Sequence, residues 1–402
     1  MIARRHLLAA SPLLAARARG ANDRIGIGLI GCGVRGVNSL LAETLALAES
    51  QNVEPRAVCD IWRQQRDTAA GRIRQAGLAE PRQYSSYREL LASRDIDAVI
   101  IATPDHQHCT MLIDAIRAGK DAYVEKPLAM DMKELNAAYD AVTRSDRIVQ
   151  MGTQIRSLPS SMAARDFLRD QRLGRVLKVE QVRNSLRPYW HRYGERTLEE
   201  SDTDWKAFLM HRRSRAWDAD QYTAWFGYRD FSRGPHSNLM VHFIDLVHHI
   251  TGADTPLRAV TMGGVYRWKD ARNAPDSVET ILDYGENNFL VRYSTVFGTG
   301  AGNYLKFFAS RGTLDASDWS GKPFTVSGVG AEEPLAPGTV IPERESDSHM
   351  LNWLKCLRTR QQPNAPIQAG YSHSVAVILS DESLIRGCRM VYDPQRRAIR
   401  QG

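Results

Sequence analysis

A stripe of polar side chains marks one stretch in the second half of the chain. Its members recur at spacings of four, three and four residues: Asn238, His242, Asp245 and His249. Apolar residues beside them follow a helical period, which predicts an amphipathic helix. An imidazole whose pKa lies near neutrality suits proton transfer. Three interpretations stay open at this point: a general base, a core histidine satisfied by its helix neighbours, or a metal site that other segments must complete.

A glycine-rich turn near the N-terminus is a second candidate for chemistry. It follows an apolar segment, 25–30, and precedes apolar residues at helical spacing. Its six members are Gly31, Cys32, Gly33, Val34, Arg35 and Gly36. In a strand–turn–helix unit, Gly31 permits the tight turn, Gly33 lets a pyrophosphate approach the backbone, and Gly36 lets the helix pack closely. The pattern predicts a dinucleotide-binding loop, although alone it can be only a glycine turn.

A carboxylate at a suitable distance supports the dinucleotide interpretation. The apolar segment 53–59 predicts a second strand that ends at Asp60, 24 residues after Gly36. This is close to the spacing of the acidic residue that binds the adenosine ribose. Because Asp60 would repel a 2′-phosphate, NAD is favoured over NADP, while Arg63 and Arg66 keep NADP possible.

The rest of the first 150 residues continues to alternate between strand and helix patterns. Apolar segments at 97–102, 122–124 and 148–151 predict strands. Asp105 is expected to cap the helix after the first of these, Gly119 to end that helix, and Asp131 with Glu134 to form a capping box. The alternation predicts a doubly wound parallel sheet, whose ligands bind beyond the carboxyl ends of its strands.

Four segments in this order resemble the Gfo/Idh/MocA family. They are IGIGLIGCGVRG at 25–36, VCD at 58–60, ATPDHQH at 102–108 and AGKDAYVEKPLA at 118–129. The last two are much more specific than the glycine motif, and the resemblance covers the chain from about residue 24 to its end. It implies an α/β protein with an N-terminal Rossmann domain, 22–152, and a C-terminal α+β domain, 153–402, built on an open, mostly antiparallel sheet.

The resemblance also implies roles for individual residues. Lys126 matches the lysine that contacts both the nicotinamide side and the substrate hydroxyl, and Pro127 would follow a cis peptide bond. A fixed ammonium there stabilises negative charge on the hydroxyl oxygen and can relay protons. His242 and Asp245 match a family HxxD motif, so His242 is the leading general base, with Asp245 or another helix neighbour to orient it. Asn238 stands where many members carry aspartate and cannot accept a proton, which shifts the weight to Lys126 and His242.

The predicted site combines these residues with others at the same edge of the sheet. The catalytic residues are Lys126 and His242, and no metal site is predicted. The cofactor-binding residues are Gly31, Cys32, Gly33, Val34, Arg35, Gly36, Asp60, Thr103, Pro104, His108, Glu125 and Lys126. The substrate-binding residues are Gln154, Arg156, Asn238 and Asp245. His349, in a helix predicted at 348–360, could also face the active site.

An aromatic stretch between 187 and 231 allows two interpretations. Its rings can cover the apolar face of a pyranose, or they can pack the segment against the sheet or a neighbouring subunit. The residues concerned are Tyr189, Trp190, Tyr193, Trp205, Trp217, Tyr222, Trp225 and Tyr228.

These features predict an NAD-dependent oxidoreductase that oxidises a hydroxyl of a sugar or sugar derivative. One alternative is an NAD-dependent glycoside hydrolase or epimerase that oxidises the sugar transiently. Another is a sensor that binds NAD without catalysis. The family resemblance also predicts a homo-oligomer built through the outer face of the open sheet.

Composition and the N-terminus set the remaining limits. The chain is 43% hydrophobic and 25% charged, as is usual for a soluble globular protein, and it has no apolar stretch long enough for a membrane span. The net charge of +7 includes four N-terminal arginines, and no dense basic tract follows, so nucleic acid is not an expected partner. The five cysteines lack CxxC spacing and are expected to be free, packed thiols. Arg4 and Arg5 before a short apolar stretch predict a Tat-type signal over 1–21 and export to the periplasm, the alternative being a basic tail on a cytoplasmic enzyme.

Overall fold

The structure is a computed structural model that describes residues 23–188, 198–285, 289–320 and 322–402. Within these ranges the chain forms two β-sheets with their helices. The predicted signal at 1–21 lies outside the described residues, as do Tyr189, Trp190 and Tyr193 of the aromatic stretch.

The first sheet is a six-stranded parallel sheet. Its strands are β1 (Ile25–Ile30), β2 (Val53–Cys59), β3 (Arg82–Tyr84), β4 (Ala98–Ile101), β5 (Asp121–Val124) and β6 (Val149–Met151). They lie in the order β3-β2-β1-β4-β5-β6, and each pairs in parallel with its neighbours. Every residue of β1, β4 and β5 is buried, which explains why these segments are apolar apart from Asp121 at the start of β5, whose carboxylate is paired with Arg360. The predicted doubly wound Rossmann sheet is confirmed.

Five α-helices connect these strands. They are α1 (Ala42–Leu47), α2 (Arg63–Gln75), α3 (Tyr87–Ala92), α4 (His108–Arg117) and α5 (Met132–Thr143). A π-helical segment, Gly36–Leu41, leads into α1, and a 3₁₀ turn, Asp105–Gln107, leads into α4. Gly119 follows α4 with φ +73°, as predicted for a residue that ends a helix.

The predicted helix caps have different outcomes. The Asp131 side chain accepts a hydrogen bond from the Glu134 N–H at 2.9 Å, so the Asp131 half of the predicted capping box is confirmed. The Glu134 carboxylate lies 2.7 Å from Nε2 of His211. The prediction that Asp105 caps α4 is wrong, because its carboxylate is buried and accepts a hydrogen bond from the Ser232 hydroxyl at 2.9 Å.

The second sheet has ten strands and is antiparallel at every described pairing except that of β7 with β10. The strands are β7 (Val176–Val182), β8 (Arg258–Gly264), β9 (Ser277–Asp283), β10 (Leu290–Val296), β11 (Tyr304–Ala309), β12 (Gly312–Asp315), β13 (Thr325–Ser327), β14 (Thr339–Val340), β15 (Met390–Asp393) and β16 (Ala398–Gln401). Their order is β14-β13-β12-β11-β7-β10-β9-β8-β15-β16. The predicted open, mostly antiparallel sheet is confirmed.

Six further α-helices complete the chain. They are α6 (Pro159–Arg169), α7 (Trp205–Leu209), α8 (Ala219–Thr223), α9 (Val241–Thr251), α10 (His349–Thr359) and α11 (Ile367–Arg386). Helices α6, α9 and α11 pack together, and α11 also lies against β8. A π-helical segment, His236–Met240, precedes α9, so the polar stripe begins before the regular helix.

Helix α10 belongs to the core of the first sheet, although the prediction placed it with the second domain. Its Trp353 and Leu357 pack in one buried cluster with Leu40, Leu41 and Tyr123. The chain therefore returns to the first domain after β14, before β15 and β16 complete the second sheet. No helix in the described part of the chain is both long and apolar enough to cross a membrane.

Candidate active site

The glycine loop after β1 has the geometry of a ligand cradle. A Cβ on Gly31, whose φ is +92°, would lie 2.6 Å from the Ala102 carbonyl oxygen, and one on Gly36 would lie 2.0 Å from that of Gly31. A Cβ on Gly33, by contrast, would meet no atom within 4 Å. Gly31 and Gly36 are thus required by close packing, while Gly33 opens the backbone to a ligand.

A groove of about 1160 Å³ extends from this loop along the carboxyl ends of the parallel strands. Its wall includes seven of the predicted cofactor-binding residues: Gly31, Gly33, Val34, Arg35, Asp60, Thr103 and Pro104. The Cys32 side chain is buried, so this residue contributes its backbone to the loop. The groove is large enough for a dinucleotide, and the cradle at Gly33 fits a pyrophosphate.

Asp60 ties the loop to the second strand. One carboxylate oxygen accepts a hydrogen bond from the Cys32 N–H at 2.7 Å, and the other accepts one from the Trp62 N–H at 2.9 Å. Burial raises the pKa of Asp60, whereas these backbone hydrogen bonds lower it. Each oxygen keeps a lone pair for a ribose hydroxyl. The Arg66 guanidinium donates to the Asp60 carbonyl at 2.6 Å, which engages it away from a 2′-phosphate.

We expect Asp60→Asn to weaken NAD binding by about ten- to a hundred-fold, because a hydrogen bond to a charged group is worth about 1.5–3 kcal/mol. Isothermal titration calorimetry with NAD measures the effect. Asp67→Asn, on the exposed side of α2, is the matched control and should bind NAD as the wild type does. Equal affinities for the two variants would contradict this role of Asp60.

Lys126 follows β5, and its peptide bond to Pro127 is cis, as the resemblance implied. The ammonium donates to the carbonyl oxygens of Ser237 and Asn238, each at 3.3 Å. Because an ammonium has three N–H groups, one remains for a substrate oxygen. Burial lowers the pKa of Lys126, and the negative charges of Asp105 and Glu125 raise it.

His242 is held in the neutral form. Burial lowers the pKa of its imidazole well below the ordinary value, and the positive charges of Lys126 and Arg35 lower it further. Its Nδ1 is buried without a hydrogen-bond partner among the described residues. The neutral ring keeps an unprotonated nitrogen, as a base must, while burial and the nearby positive charges make it a weaker base than a free imidazole.

Asp245 does not orient His242 as predicted, because its carboxylate is engaged elsewhere. It accepts two hydrogen bonds from Arg156, at 2.8 and 2.9 Å, and lies 3.4 Å from Nδ1 of His373. Burial alone would raise the pKa of Asp245, but the charge and hydrogen bonds of Arg156 lower it below the ordinary value. Arg156 and Asp245 were predicted to bind substrate. Both are buried and neutralise each other, which gives them a positioning role for α9 instead.

The other two predicted substrate residues differ in availability. The Gln154 amide oxygen is buried and has no partner within the described ranges, so it stays available to a substrate hydroxyl as predicted. The Asn238 side chain donates to the Ser232 hydroxyl at 3.2 Å and to the Gly234 carbonyl at 2.9 Å. Asn238 therefore braces its own loop and offers Lys126 its main-chain carbonyl.

His108 braces two loops and does not face the groove. Its Nδ1 lies 2.7 Å from the Pro127 carbonyl and its Nε2 lies 2.8 Å from the Thr103 carbonyl. Both ring nitrogens therefore face carbonyl oxygens of the protein. Only 1% of His108 is exposed, so the prediction of direct cofactor contact is replaced by a structural link between the TPxxxH and EKP segments.

An ion pair connects the glycine loop to the EKP segment. Nε of Arg35 lies 2.6 Å from the Glu125 carboxylate. Gly152 makes room for this carboxylate, because a Cβ there would lie 2.7 Å from its carbon atom. Sequence reasoning did not identify Gly152, which has no motif of its own and matters only through its contact with Glu125.

The aromatic stretch forms a small core. Trp205, Phe208, Tyr228 and Phe231 are buried in one cluster, so Trp205 and Tyr228 serve packing, but within the stretch itself and not against the sheet as predicted. The Phe208 carbonyl lies 2.8 Å from Nε2 of His106 and accepts a hydrogen bond from the Gln107 amide at 2.9 Å. These hydrogen bonds attach the aromatic stretch to the first domain. Two other residues of the stretch, Tyr222 and Trp225, line the cofactor groove.

Two further predictions, on His349 and on metal binding, concern the surroundings of the groove. His349 is buried between the Ser157 hydroxyl, 2.7 Å away, and the Met151 carbonyl, 2.8 Å away, so it joins α10 to the end of β6 and does not face the groove. In the ranges that the structure describes, no three His, Cys, Asp or Glu side chains are grouped so that they could hold a metal ion.

Comparison with known proteins agrees with this geometry. Residues 25–153 match the model of the Gfo/Idh/MocA oxidoreductase family, described as an NAD-binding Rossmann fold. The chain is 28% identical over 188 residues to a "Glycosyl hydrolase family 109 protein" of Shewanella sp. (strain W3-18-1) and 29% identical to a relative of the same description in Shewanella sp. (strain ANA-3). Each match covers 42% of this chain and only 40% of the relative.

Solved structures share the complete two-domain fold. A levoglucosan dehydrogenase in complex with NADH and levoglucosan superposes with a TM-score of 0.69 at 18% identity, over 91% of this chain and 99% of that one. An aldose-aldose oxidoreductase from Caulobacter crescentus gives a TM-score of 0.69 at 17% identity, with the same coverage. The glycine loop, the groove and the family match define an NAD-binding Rossmann oxidoreductase. Its first domain matches the NAD-binding domain of the Gfo/Idh/MocA oxidoreductase family.

Proposed function

We propose that this oxidoreductase oxidises a hydroxyl of a sugar or sugar derivative. The observation that carries the proposal is the pairing of Lys126, which has an N–H to spare, with a neutral His242 that lies close enough to be influenced by its charge. Levoglucosan dehydrogenase and aldose-aldose oxidoreductase share the fold, and their names indicate sugar substrates.

The residues of this chain divide the chemistry between them. The loop 31–36, Asp60 and the Thr103-Pro104 turn would hold NAD, which accepts a hydride when bound. Lys126 donates its remaining N–H to the substrate oxygen and stabilises the negative charge that grows there. His242 accepts the hydroxyl proton. The buried pair of Arg156 and Asp245 keeps α9, and therefore His242, in place.

A second candidate is glycoside cleavage through transient oxidation. The names of the Shewanella relatives favour it, and they are glycoside hydrolases by description. Such a reaction uses the same lysine and base: the temporary ketone acidifies a neighbouring C–H bond, the base takes that proton as the aglycone leaves by elimination, water adds to the resulting double bond, and the hydride is then returned to the ketone. Part of the aromatic stretch lines the groove, namely Tyr222 and Trp225. Such a lining suits a cofactor that remains bound throughout the catalytic cycle.

One assay separates the two candidates. The chain without residues 1–21 is incubated with NAD and a panel of free sugars and nitrophenyl glycosides, and NADH absorbance and released nitrophenol are followed together. NADH that accumulates without aglycone establishes a net dehydrogenase. Aglycone release without NADH accumulation, still dependent on NAD, establishes the hydrolase. If no sugar or glycoside in the panel reacts in either way, the proposed substrate class is wrong.

We also propose that the protein is a homo-oligomer and is exported. The outer face of the second sheet exposes neighbouring apolar side chains on β8, β9 and β10: Val260, Met262, Ile281, Leu290 and Val296. Such a patch is typical of a subunit interface, and a concentration-independent monomer in light scattering would exclude it.

Arg4 and Arg5 support the proposal of Tat export. The proposal fails if residues 1–21, fused to a folded reporter protein, do not carry that reporter into the periplasm.

A further inference from the structure

We propose that Asp105 is a positioning residue that keeps Lys126 charged and in place, acting through the loop 232–238. The inference rests on the role proposed above for Lys126. It gives a function to a carboxylate that sequence reasoning placed at a helix cap.

Asp105 is anchored in a buried hydroxyl network. Only 3% of the residue is exposed, and its carboxylate accepts a hydrogen bond from the Ser232 hydroxyl at 2.9 Å. The Ser232 hydroxyl lies 2.9 Å from that of Ser237, and both serines are completely buried. The carboxylate is therefore held by a loop of the second domain, although it comes from the first.

The same loop supplies the acceptors that position Lys126. The Ser237 and Asn238 carbonyls take two of its three N–H groups. The loop backbone is fixed by further bonds to these hydroxyls, from the Arg233 N–H to Ser237 at 3.0 Å and from the Gly234 N–H to Ser232 at 3.2 Å. A change at Asp105 is thus transmitted to the carbonyls that hold the ammonium.

Charge balance points to the same role. A buried carboxylate is costly unless an opposite charge lies near it, and the Lys126 ammonium supplies that charge for Asp105. Burial raises the pKa of Asp105, and the charge of Lys126 lowers it.

The surroundings of Lys126 show what Asp105 contributes. Burial lowers the pKa of the ammonium, Asp105 and Glu125 raise it, and Arg35 lowers it. The other titratable groups that interact with Lys126 are the His242 and His373 imidazoles, both held neutral by burial. Glu125 is already paired with Arg35 at 2.6 Å, which leaves Asp105 as the main counter-ion of Lys126.

Asp105→Asn removes the charge and keeps the shape of the side chain. We expect the pH at which Lys126 loses its proton to fall by about one to three units, because a nearby opposite charge shifts a pKa by that amount. The alkaline limb of the kcat profile should move by the same amount, while KM for NAD stays within about twofold.

Competitive labelling measures this shift without turnover. The protein is treated with trace acetic anhydride across a pH series, and mass spectrometry follows acetylation of Lys126, with exposed Lys355 as the internal standard. The expected result is a lower labelling midpoint for Lys126 in Asp105→Asn and an unchanged one in Asp114→Asn, the matched control on α4. An unchanged midpoint in Asp105→Asn overturns the inference.

A second variant keeps the test decisive if Asp105→Asn does not fold. Ser232→Ala with Ser237→Ala retains the carboxylate but removes both serine hydroxyls that link it to the loop, so acetylation of Lys126 at fixed pH should rise several-fold as its carbonyl acceptors loosen. An unchanged rate overturns the inference. Because labelling needs no substrate, failure of the proposed oxidation leaves this test intact, and an unmoved Lys126 in an active enzyme refutes only the role of Asp105.

Discussion

Lys126→Met should lower the rate of substrate oxidation by about a hundred- to ten-thousand-fold, the range that a positioned proton donor or oxyanion stabiliser contributes. The substitution keeps the aliphatic stem and removes the ammonium that we propose contacts the substrate. The effect should fall on kcat, because the groove that binds NAD is built from other residues. Steady-state kinetics, with NAD affinity measured separately, tests this split.

The control is Lys355→Met, which removes a half-exposed lysine from α10 that forms an ion pair with Asp347 and does not line the groove. It should leave the kinetics unchanged. If Lys126→Met retains more than about a tenth of the wild-type kcat with normal folding, Lys126 does not stabilise the transition state, and a sensor or another reaction becomes the better account.

Asp245→Ala should lower the free energy of unfolding by about 3–5 kcal/mol, because removal of one partner of a buried ion pair leaves the other charge uncompensated. Arg156 donates two of its N–H groups to this carboxylate and sits in the same buried contact between the end of β6 and α9. Urea unfolding followed by tryptophan fluorescence measures the loss. Glu80→Ala, which breaks an exposed pair with Arg74, should leave the unfolding midpoint unchanged.

The double variant Asp245→Leu with Arg156→Met sharpens this test, because it removes both charges and should recover much of the stability. An Asp245→Ala protein as stable as the Glu80→Ala control would show that the pair does not hold α9 in place.

The same pair predicts a pH dependence of stability. Since the folded state holds the pKa of Asp245 below the ordinary value of about 3.9, the pair contributes stability above that pH and loses it as the pH falls further. The stability difference between wild type and Asp245→Ala should therefore be constant at neutral pH and shrink only below about pH 4. A difference that shrinks between pH 8 and pH 6 would indicate that another group is responsible.

The sequence was most informative at positions where the local backbone geometry alone restricts which residue types can occur. A tight turn restricts the residues of the glycine loop, and the end of a strand restricts the position of Asp60. The strands β1, β4 and β5 could be identified because both faces of the sheet are covered there, which requires mostly apolar side chains. The antiparallel second sheet was predictable for the same reason, through its alternating β-rich segments.

Roles that depend on a distant partner were not predictable in this way. Arg156 and Asp245 look like exposed ligand-binding groups until the fold brings them together, 89 residues apart in the chain. His108 looks like a cofactor contact, but the carbonyls of Thr103 and Pro127 take both of its nitrogens. Asp105 has the sequence position of a helix cap, yet Ser232, 127 residues away, determines where its carboxylate points.

The central claim is that a hydride moves between a substrate carbon and NAD at the site of Lys126 and His242. Its most direct test uses sugars and glycosides deuterated at every ring carbon, mixed with the enzyme and NAD, quenched within the first turnover and analysed for deuterium in the cofactor by mass spectrometry. The claim predicts deuterated reduced cofactor with wild type, for a dehydrogenase and a transient oxidation alike, and none with Lys126→Met. Product that forms while the cofactor never acquires deuterium would contradict it.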